Sequence, residues 1–191
     1  MNRIEIVAVG ASLGGLLAVQ TLLRGIREKL GVSMVLVQHR RADPSSVLVG
    51  LLAKYCVFPV SEPEDKTPLE KDHLYVAPSD YHLLVEEGHL ALSVDPPVNY
   101  ARPSIDVLFE SVADAFGPAA VGVMLTNSND DGAAGARAIK RAGGRVIVQD
   151  PETAESPVGP RAVLALTEVD AVLPIESIAE ALAKLCQRVG G

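Results

Sequence analysis

The chain has 191 residues, a formal net charge of −7 and a pI near 5.1, a balance that argues against nucleic acid as the main partner. Hydrophobic residues make up 48% and aromatic ones 4%, so Val, Leu, Ile and Ala must fill the core; at this length folding buries roughly 70% of the extended-chain surface without disulfides or metals. Cys56 and Cys186 form no CxxC pair and read as buried thiols of a reducing compartment.

Ile4 to Val9 is a short β-branched run closed by Gly10, the pattern of a strand buried on both faces. Overlapping "VAVGASLGGLLAVQTLL", the apolar run from Ile6 to Val19 contains three Gly and a Ser and is too short to span a membrane. Glu5 interrupts its start and no A-x-A cleavage site follows, so a cytoplasmic protein without membrane insertion is expected. Leu16 to Leu23 reads as a helix with Leu16, Val19, Leu22 and Leu23 as its apolar positions, and Gly31 lies past its end. Ser33 to Gln38 is a second apolar run ending in "QHRR", which completes a strand–helix–strand unit and implies a parallel sheet. "DHLYVAPSDYHLLVEEGHLALSV" predicts short antiparallel strands broken at Pro78-Ser79-Asp80 and Glu87-Gly88, with His73, His82 and His89 on a solvated face. "DPPVNYARP" is a loop, and Ser104 to Phe116 a helix with Ile105, Leu108, Phe109 and Val112 on one side. Ala119 to Leu125 is a third buried strand, followed by the polar loop "TNSNDDG". Ala133 to Ala142 is an Ala-rich helix stopped by Gly143-Gly144, Arg145 to Gln149 a fourth strand, and "AVLPI" from Ala171 a fifth. Ser177 to Val189 is a last helix, with Ser177 as N-cap and Glu180 at the capping-box position. No repeat, low-complexity tract or linker intervenes. One domain over residues 1–191 is expected: an α/β, doubly wound, mostly parallel sheet with helices on both faces and an antiparallel hairpin insertion.

In such sheets functional residues collect at the C-terminal ends of strands. Ser12 follows the first strand, His39 the second, and Asn127 to Asp131 the third, and Ser, His and Asp meeting there have the composition of a nucleophilic hydrolase site. Gly10-Ala11-Ser12-Leu13-Gly14 fits G-x-S-x-G between strand and helix, where a tight turn exposes the serine and the helix start favours negative charge. The same "GASLGG" resembles a dinucleotide loop, but Ser12 replaces the second glycine and the second strand ends in Gln38-His39-Arg40 rather than an acid. Taken singly, each residue has a blander reading: His39 as a polar strand end, Asp131 as a helix N-cap with Asp130 as its rival. No His pair has metal-ligand spacing on one element, so neither metal nor cofactor is expected.

The segments "GASLGG", "QHR", "LYVAPSDYHLLV", "PPVNYARPSIDVLFESVADAFG", "AVGVMLTNSNDDGAAGARAIKRAGG" and "QDPETAESPVGPRA" together resemble the catalytic domain of CheB-type protein-glutamate methylesterases, in the family's order from Ile6 to about Arg161. The resemblance implies a catalytic triad of Ser12, His39 and Asp131. It implies hydrolysis of γ-glutamyl methyl esters on cytoplasmic helices of chemoreceptors, with release of methanol, and deamidation of receptor glutamines by the same acyl chemistry. Backbone N–H groups of Leu13 and Ser128 are the oxyanion donors expected from it. Arg102, in "RPSIDVLF", is the candidate for holding an acidic receptor surface, with pairing to Asp106 as its structural alternative. Three positions depart from the family pattern: Leu13 stands where Ser or Thr is usual, Asn127-Ser128-Asn129 where Gly-Met-Gly is, and Arg40-Arg41 where Met-Pro is. Asn127 and Asn129 are expected to replace the glycines by entering the left-handed backbone region. A catalytically weakened CheB-like binding or regulatory module is the alternative these departures leave open. The family's usual N-terminal receiver domain does not precede the first catalytic strand, and two expectations stand side by side: a stand-alone or shortened chain, or one controlled by a separate receiver or histidine-kinase protein.

Overall fold

The computed structural model describes residues 3–40 and 47–187. In chain order its elements are β1 (Ile6–Ala11), α1 (Gly15–Gly25), β2 (Ser33–Gln38), α2 (Val47–Ala53), β3 (Val60–Ser61), β4 (Leu74–Val76), β5 (His82–Glu86), β6 (His89–Ser93), α3 (Ile105–Phe116), β7 (Ala120–Met124), α4 (Ala133–Arg141), β8 (Arg145–Gln149), α5 (Val158–Leu166), β9 (Ala171–Leu173) and α6 (Ile175–Gln187). Seven strands form one sheet in the order β3-β4-β2-β1-β7-β8-β9, and every neighbouring pair is parallel. β5 and β6 form a separate antiparallel hairpin. The doubly wound α/β reading of the sequence is the observed architecture.

The β-branched runs are buried on both faces because each feeds two cores. In β1, Val7, Val9 and Ala11 enter one core while Ile6 and Ala8 enter the other, the period of two expected of a strand. Val19, Leu22 and Leu23 of α1, Leu52 of α2 and Ile178, Ala179 and Leu182 of α6 cover the first face. Leu108, Phe109 and Val112 of α3, Ala136 and Ile139 of α4, Val163 of α5 and Leu83, Val85 and Leu90 of the hairpin cover the second. Chain order runs outward from β1 in one direction through β2 and β4, then restarts on its other side at β7. That reversal opens a crevice at the C-terminal ends of β1, β2 and β7, where doubly wound sheets place their ligands.

Several boundaries differ from the sequence reading. Gly10 lies inside β1 and pairs with Val37 and Met124, because a Cβ there would collide with Ile105 and the bare backbone lets α3 approach. β4 was expected in the antiparallel unit but is fully buried and joins β2 in parallel. His82 is not on a solvated face: it is 1% exposed, its Nδ1 accepts from Ser104 N at 3.2 Å, and its Nε2 donates to the Pro96 carbonyl at 3.1 Å. The N-cap of α4 is Gly132, not Asp131. α6 begins at Ile175, so Ser177 is a first-turn residue rather than its cap; Val189, the expected end, lies outside the described residues. Among the described residues no helix is long and apolar enough to cross a membrane, and no group of three His, Cys, Asp or Glu is placed to hold a metal ion.

Candidate active site

The turn after β1 is shaped by two glycines. Gly14 takes a φ of 74° as the N-cap of α1, a left-handed conformation that costs glycine little. Gly15 lies where a Cβ would collide with the Gln38 amide and come within 2.8 Å of Ala11 Cβ. Ser12 is thereby set at the crevice, half-buried, its N–H donating to the Thr126 carbonyl at 3.0 Å. Among the described residues its hydroxyl makes no hydrogen bond.

β1 and β2 pair with Ala11 opposite Gln38, and His39 N donates to the Ala11 carbonyl at 2.9 Å. Continuing that register puts Ser12 beside His39 at neighbouring strand ends, with their backbones about 5 Å apart across the sheet. Both line one crevice with Leu13, Leu16, Leu17, Gln38 and Ser128. On its other side His39 borders a larger cleft, about 750 Å³, formed with Arg40, Asn99 to Pro103, Asn129 and Asp130.

The His39 ring meets Asp131 across 2.7 Å, from Nε2 to Oδ2. A carboxylate only accepts, so Nε2 carries the hydrogen and Nδ1 keeps the lone pair. This is the reverse of the usual serine-protease assignment, in which Nδ1 faces the acid. Asp131 is fully buried and its two oxygens are surrounded by donors. Oδ2 also accepts from Ile105 N at 2.7 Å, and Oδ1 accepts from Ser104 Oγ at 2.7 Å, Asp106 N at 3.1 Å and Asn99 Nδ2 at 3.5 Å. Burial by itself pushes this carboxyl up, but the bonds from His39, Ser104, Ile105 and Asp106 outweigh it and hold Asp131 below the ordinary aspartate value. The carboxylate sits on the first turn of α3, capped by Ser104, where backbone N–H groups and the helix dipole favour an anion.

Asp106 returns the arrangement. From the first turn of α3 its Oδ1 accepts from Gly132 N at 2.9 Å and Gly135 N at 2.7 Å, at the start of α4. Asn99 Nδ2 donates to its Oδ2 at 2.9 Å and so bridges both carboxyls. Burial chiefly, with the Asp131 charge, raises Asp106 to about 6 despite the two glycine N–H donors. Each helix therefore has its N-terminus held by an aspartate belonging to the other's segment. Asp130, the rival acid, is exposed.

The loop from Asn127 to Asp131 does not use the conformation expected for it. Neither Asn127 nor Asn129 is among the residues of positive φ. Their side chains do the work instead: Asn129 N donates to Asn127 Oδ1 at 3.2 Å, Asp131 N to Asn129 Oδ1 at 3.2 Å, and Asn127 Nδ2 to the Asp131 carbonyl at 2.9 Å. Two successive Asx turns thus shape the loop, and glycine could supply neither. Leu13 and Ser128 both line the crevice, and among the described residues neither backbone N–H donates a hydrogen bond.

Arg102 borders the larger cleft, and its guanidinium is already engaged. It donates to Asp80 Oδ1 at 2.7 and 3.2 Å and to the carbonyls of Val94 and Asp95 at 2.8 and 3.1 Å. Its partner is Asp80, not Asp106, because Asp106 is turned inward onto α4. Arg40 pairs with Glu62. Asn99, Ser104, Gln38 and Thr126 are site residues that the sequence did not single out, and Asp106 entered there only as a partner for Arg102. Of these only Ser104 carried a local signal, as the start of a helix.

Fold and crevice define an α/β protein with a serine, a histidine and an aspartate gathered at its topological switch point. The family model of CheB methylesterases matches residues 7–182. A Leptospira interrogans protein to which protein-glutamate methylesterase and protein-glutamine glutaminase activities are ascribed is 40% identical over 96% of this chain and 95% of its own length. The protein-glutamate methylesterase/protein-glutamine glutaminase 2 of Anaeromyxobacter dehalogenans is also 40% identical, over 96% of this chain but 54% of its own. The crystal structure of the Thermotoga maritima CheB methylesterase catalytic domain superposes with a TM-score of 0.92 at 28% identity, covering 96% of this chain and all of that one. The chain belongs to the CheB methylesterase family.

Proposed function

We propose that this chain is a serine hydrolase that cleaves protein glutamate γ-methyl esters on chemoreceptor cytoplasmic helices to glutamate and methanol, and deamidates receptor glutamines by the same route. The observation that carries the reading is the 2.7 Å contact of His39 with the buried, donor-rich Asp131 at the crevice that also holds Ser12. Asp131 fixes the imidazole with hydrogen on Nε2 and stabilises it when Nδ1 takes the Ser12 hydroxyl proton. Ser12 Oγ bonds to the ester carbonyl carbon, and the oxyanion that develops is met by the N–H groups of Leu13 and Ser128. His39 returns its proton to the departing methoxide, giving methanol, or to the departing amine, giving ammonia. Water, deprotonated by His39, then attacks the acyl-enzyme and frees Ser12 and the glutamate product.

The departures from the family pattern are compatible with this chemistry. Leu13 contributes through its backbone, and the residue is 55% exposed. The asparagines replace glycine flexibility with side-chain hydrogen bonds that hold Asp131 in place. These features favour an enzyme over a binding module that has lost turnover. Arg102 serves substrate by holding the segment around residues 94–102 at the mouth of the cleft, since its donors are engaged within the protein.

Ser12→Ala tests the reading. The hydroxyl makes no bond that the fold needs, so the variant should melt like the parent. It should lose reaction with a fluorophosphonate probe, and methanol release should fall by about 10⁶, as for the serine of a model protease. Turnover within tenfold of the parent would sink the serine mechanism.

A further inference from the structure

We propose that Gln38 is a positioning residue that aims the oxyanion donor of Leu13 and ties it in register with His39, through the two hydrogens of its side-chain amide. The inference rests on the serine mechanism above and extends it to a residue that touches no reacting atom.

Gln38 is the last residue of β2, immediately before His39 and opposite Ala11 of β1. Its side chain turns into the crevice floor and is 9% exposed. Nε2 donates to the Ser12 carbonyl at 2.8 Å and to the His39 carbonyl at 3.0 Å. Two carbonyls can only accept, so the amide has one admissible orientation. The opposite flip would set its oxygen against both.

That orientation has a cost. Oε1 is buried and, among the described residues, has no hydrogen-bond partner, and a buried acceptor without a donor opposes folding. A side chain kept for stability alone would not leave an oxygen in that state. The amide hydrogens are what this position supplies.

Their effect on the chemistry follows from peptide geometry. The Ser12 carbonyl and the Leu13 N–H belong to one planar unit and point in opposite directions. Holding the carbonyl therefore aims the N–H. Gly15 N donates to the same carbonyl at 2.8 Å, so this oxygen carries two donors, and hydrogen bonds in such a chain polarise one another. The Leu13 N–H, on a residue that lines the crevice, is thus both directed and strengthened as a donor. The second amide hydrogen locks the backbone of the base to the same hub, so nucleophile turn and histidine cannot drift apart. Gly15 belongs to the device: any side chain there would collide with Gln38 Oε1.

The test uses the full chain with Gln38→Met, which keeps bulk but removes both donors, and Gln38→Glu, which keeps shape. Steady-state hydrolysis of a glutamate γ-methyl ester peptide gives kcat and KM. Inhibition by a simple alkyl boronic acid reports binding of a tetrahedral adduct on Ser12. Loss of an oxyanion donor itself costs about 10²–10³ in kcat. With Gly15 N still holding the carbonyl, a loss of roughly 10–10² is expected, with KM within about twofold and the boronate weakened by the same factor as kcat. A role confined to packing would not make the boronate follow kcat. If one variant fails to fold, the other carries the test. A kcat within threefold of the parent in a folded variant overturns the assignment, as does a loss carried by KM alone. If Ser12→Ala remains active, the serine mechanism itself fails, an outcome distinct from either.

Discussion

Asp131→Asn is ordinarily a mild, nearly isosteric change, and here it should be severe. Every group facing the carboxylate is a donor: His39 Nε2 and Ile105 N on Oδ2, Ser104 Oγ, Asp106 N and Asn99 Nδ2 on Oδ1. An asparagine must turn its NH₂ to one side. On the Oδ2 side the imidazole can change tautomer and accept, but the Ile105 N–H cannot. On the Oδ1 side Ser104 can rotate and Asn99 can flip, but the Asp106 N–H cannot. Neither orientation satisfies α3, so one backbone donor is left facing another. Charge-assisted hydrogen bonds contribute about 1.5–3 kcal/mol each, and breaking a buried charged arrangement from one side costs about 3–5 kcal/mol. Asp131→Asn should therefore lower unfolding free energy by about 3–5 kcal/mol in urea titration. Methanol release should fall by about 10⁴, the loss that follows from a wrong imidazole tautomer. Asp130→Asn, at an exposed position, should stay within about 0.5 kcal/mol of the parent. An Asp131→Asn protein as stable as the parent, or an Asp130→Asn protein damaged more, would refute the reasoning.

Two other expectations follow. Asp106 has its folded value raised from 3.8 to about 6, so its proton is held more tightly in the folded state, and ionising it as pH rises from about 4 to about 6 should cost up to about 2–3 kcal/mol of stability. Asp131, shifted the other way, adds stability that is lost only as pH falls below the ordinary aspartate range, so the windows separate; urea unfolding of Asp106→Asn across the upper window should show the slope abolished, and an unchanged slope would contradict this. Asn129→Gly removes the acceptor for Asp131 N and frees the backbone, together about 2 kcal/mol; methanol release should drop roughly tenfold, whereas a gain would contradict the positioning role of the Asn129 side chain.

Strand ends were legible because a buried parallel strand is an uninterrupted apolar run, and the polar residue that follows marks where the chain emerges. Ser12 and His39 accordingly follow β1 and β2 directly, at neighbouring strand ends. α5 stayed hidden because Pro157, Gly159 and Pro160 read as loop. Proline is tolerated there since first-turn N–H groups have no intrahelical partner. β4 was misassigned because three buried residues carry no alternation to distinguish parallel from antiparallel pairing. The role of Asp131 came only from family resemblance: its acceptor duty is set by residues 99–106, far from it in sequence, and its local context read as a helix cap. The Asn loop departs from its expectation for the opposite reason. Its side-chain bonds are short-range, and asparagine can stand in for glycine either by entering the left-handed region or, as here, through its side-chain amide.

The two aspartates that hold each other's helices have a consequence for ionic strength. The negative charge of Asp131 is answered by backbone N–H groups, a hydroxyl and an imidazole rather than by a lysine or arginine, and it is fully buried. Mobile ions screen exposed charges over about 10 Å or less but barely reach such an interior arrangement. Added salt should leave turnover of a small methyl ester nearly flat. The chain's net charge of −7, by contrast, acts on a macromolecular substrate at a distance. Any salt dependence that appears only with a protein substrate therefore measures encounter, and the chemistry proposed at Ser12 can be read separately from it.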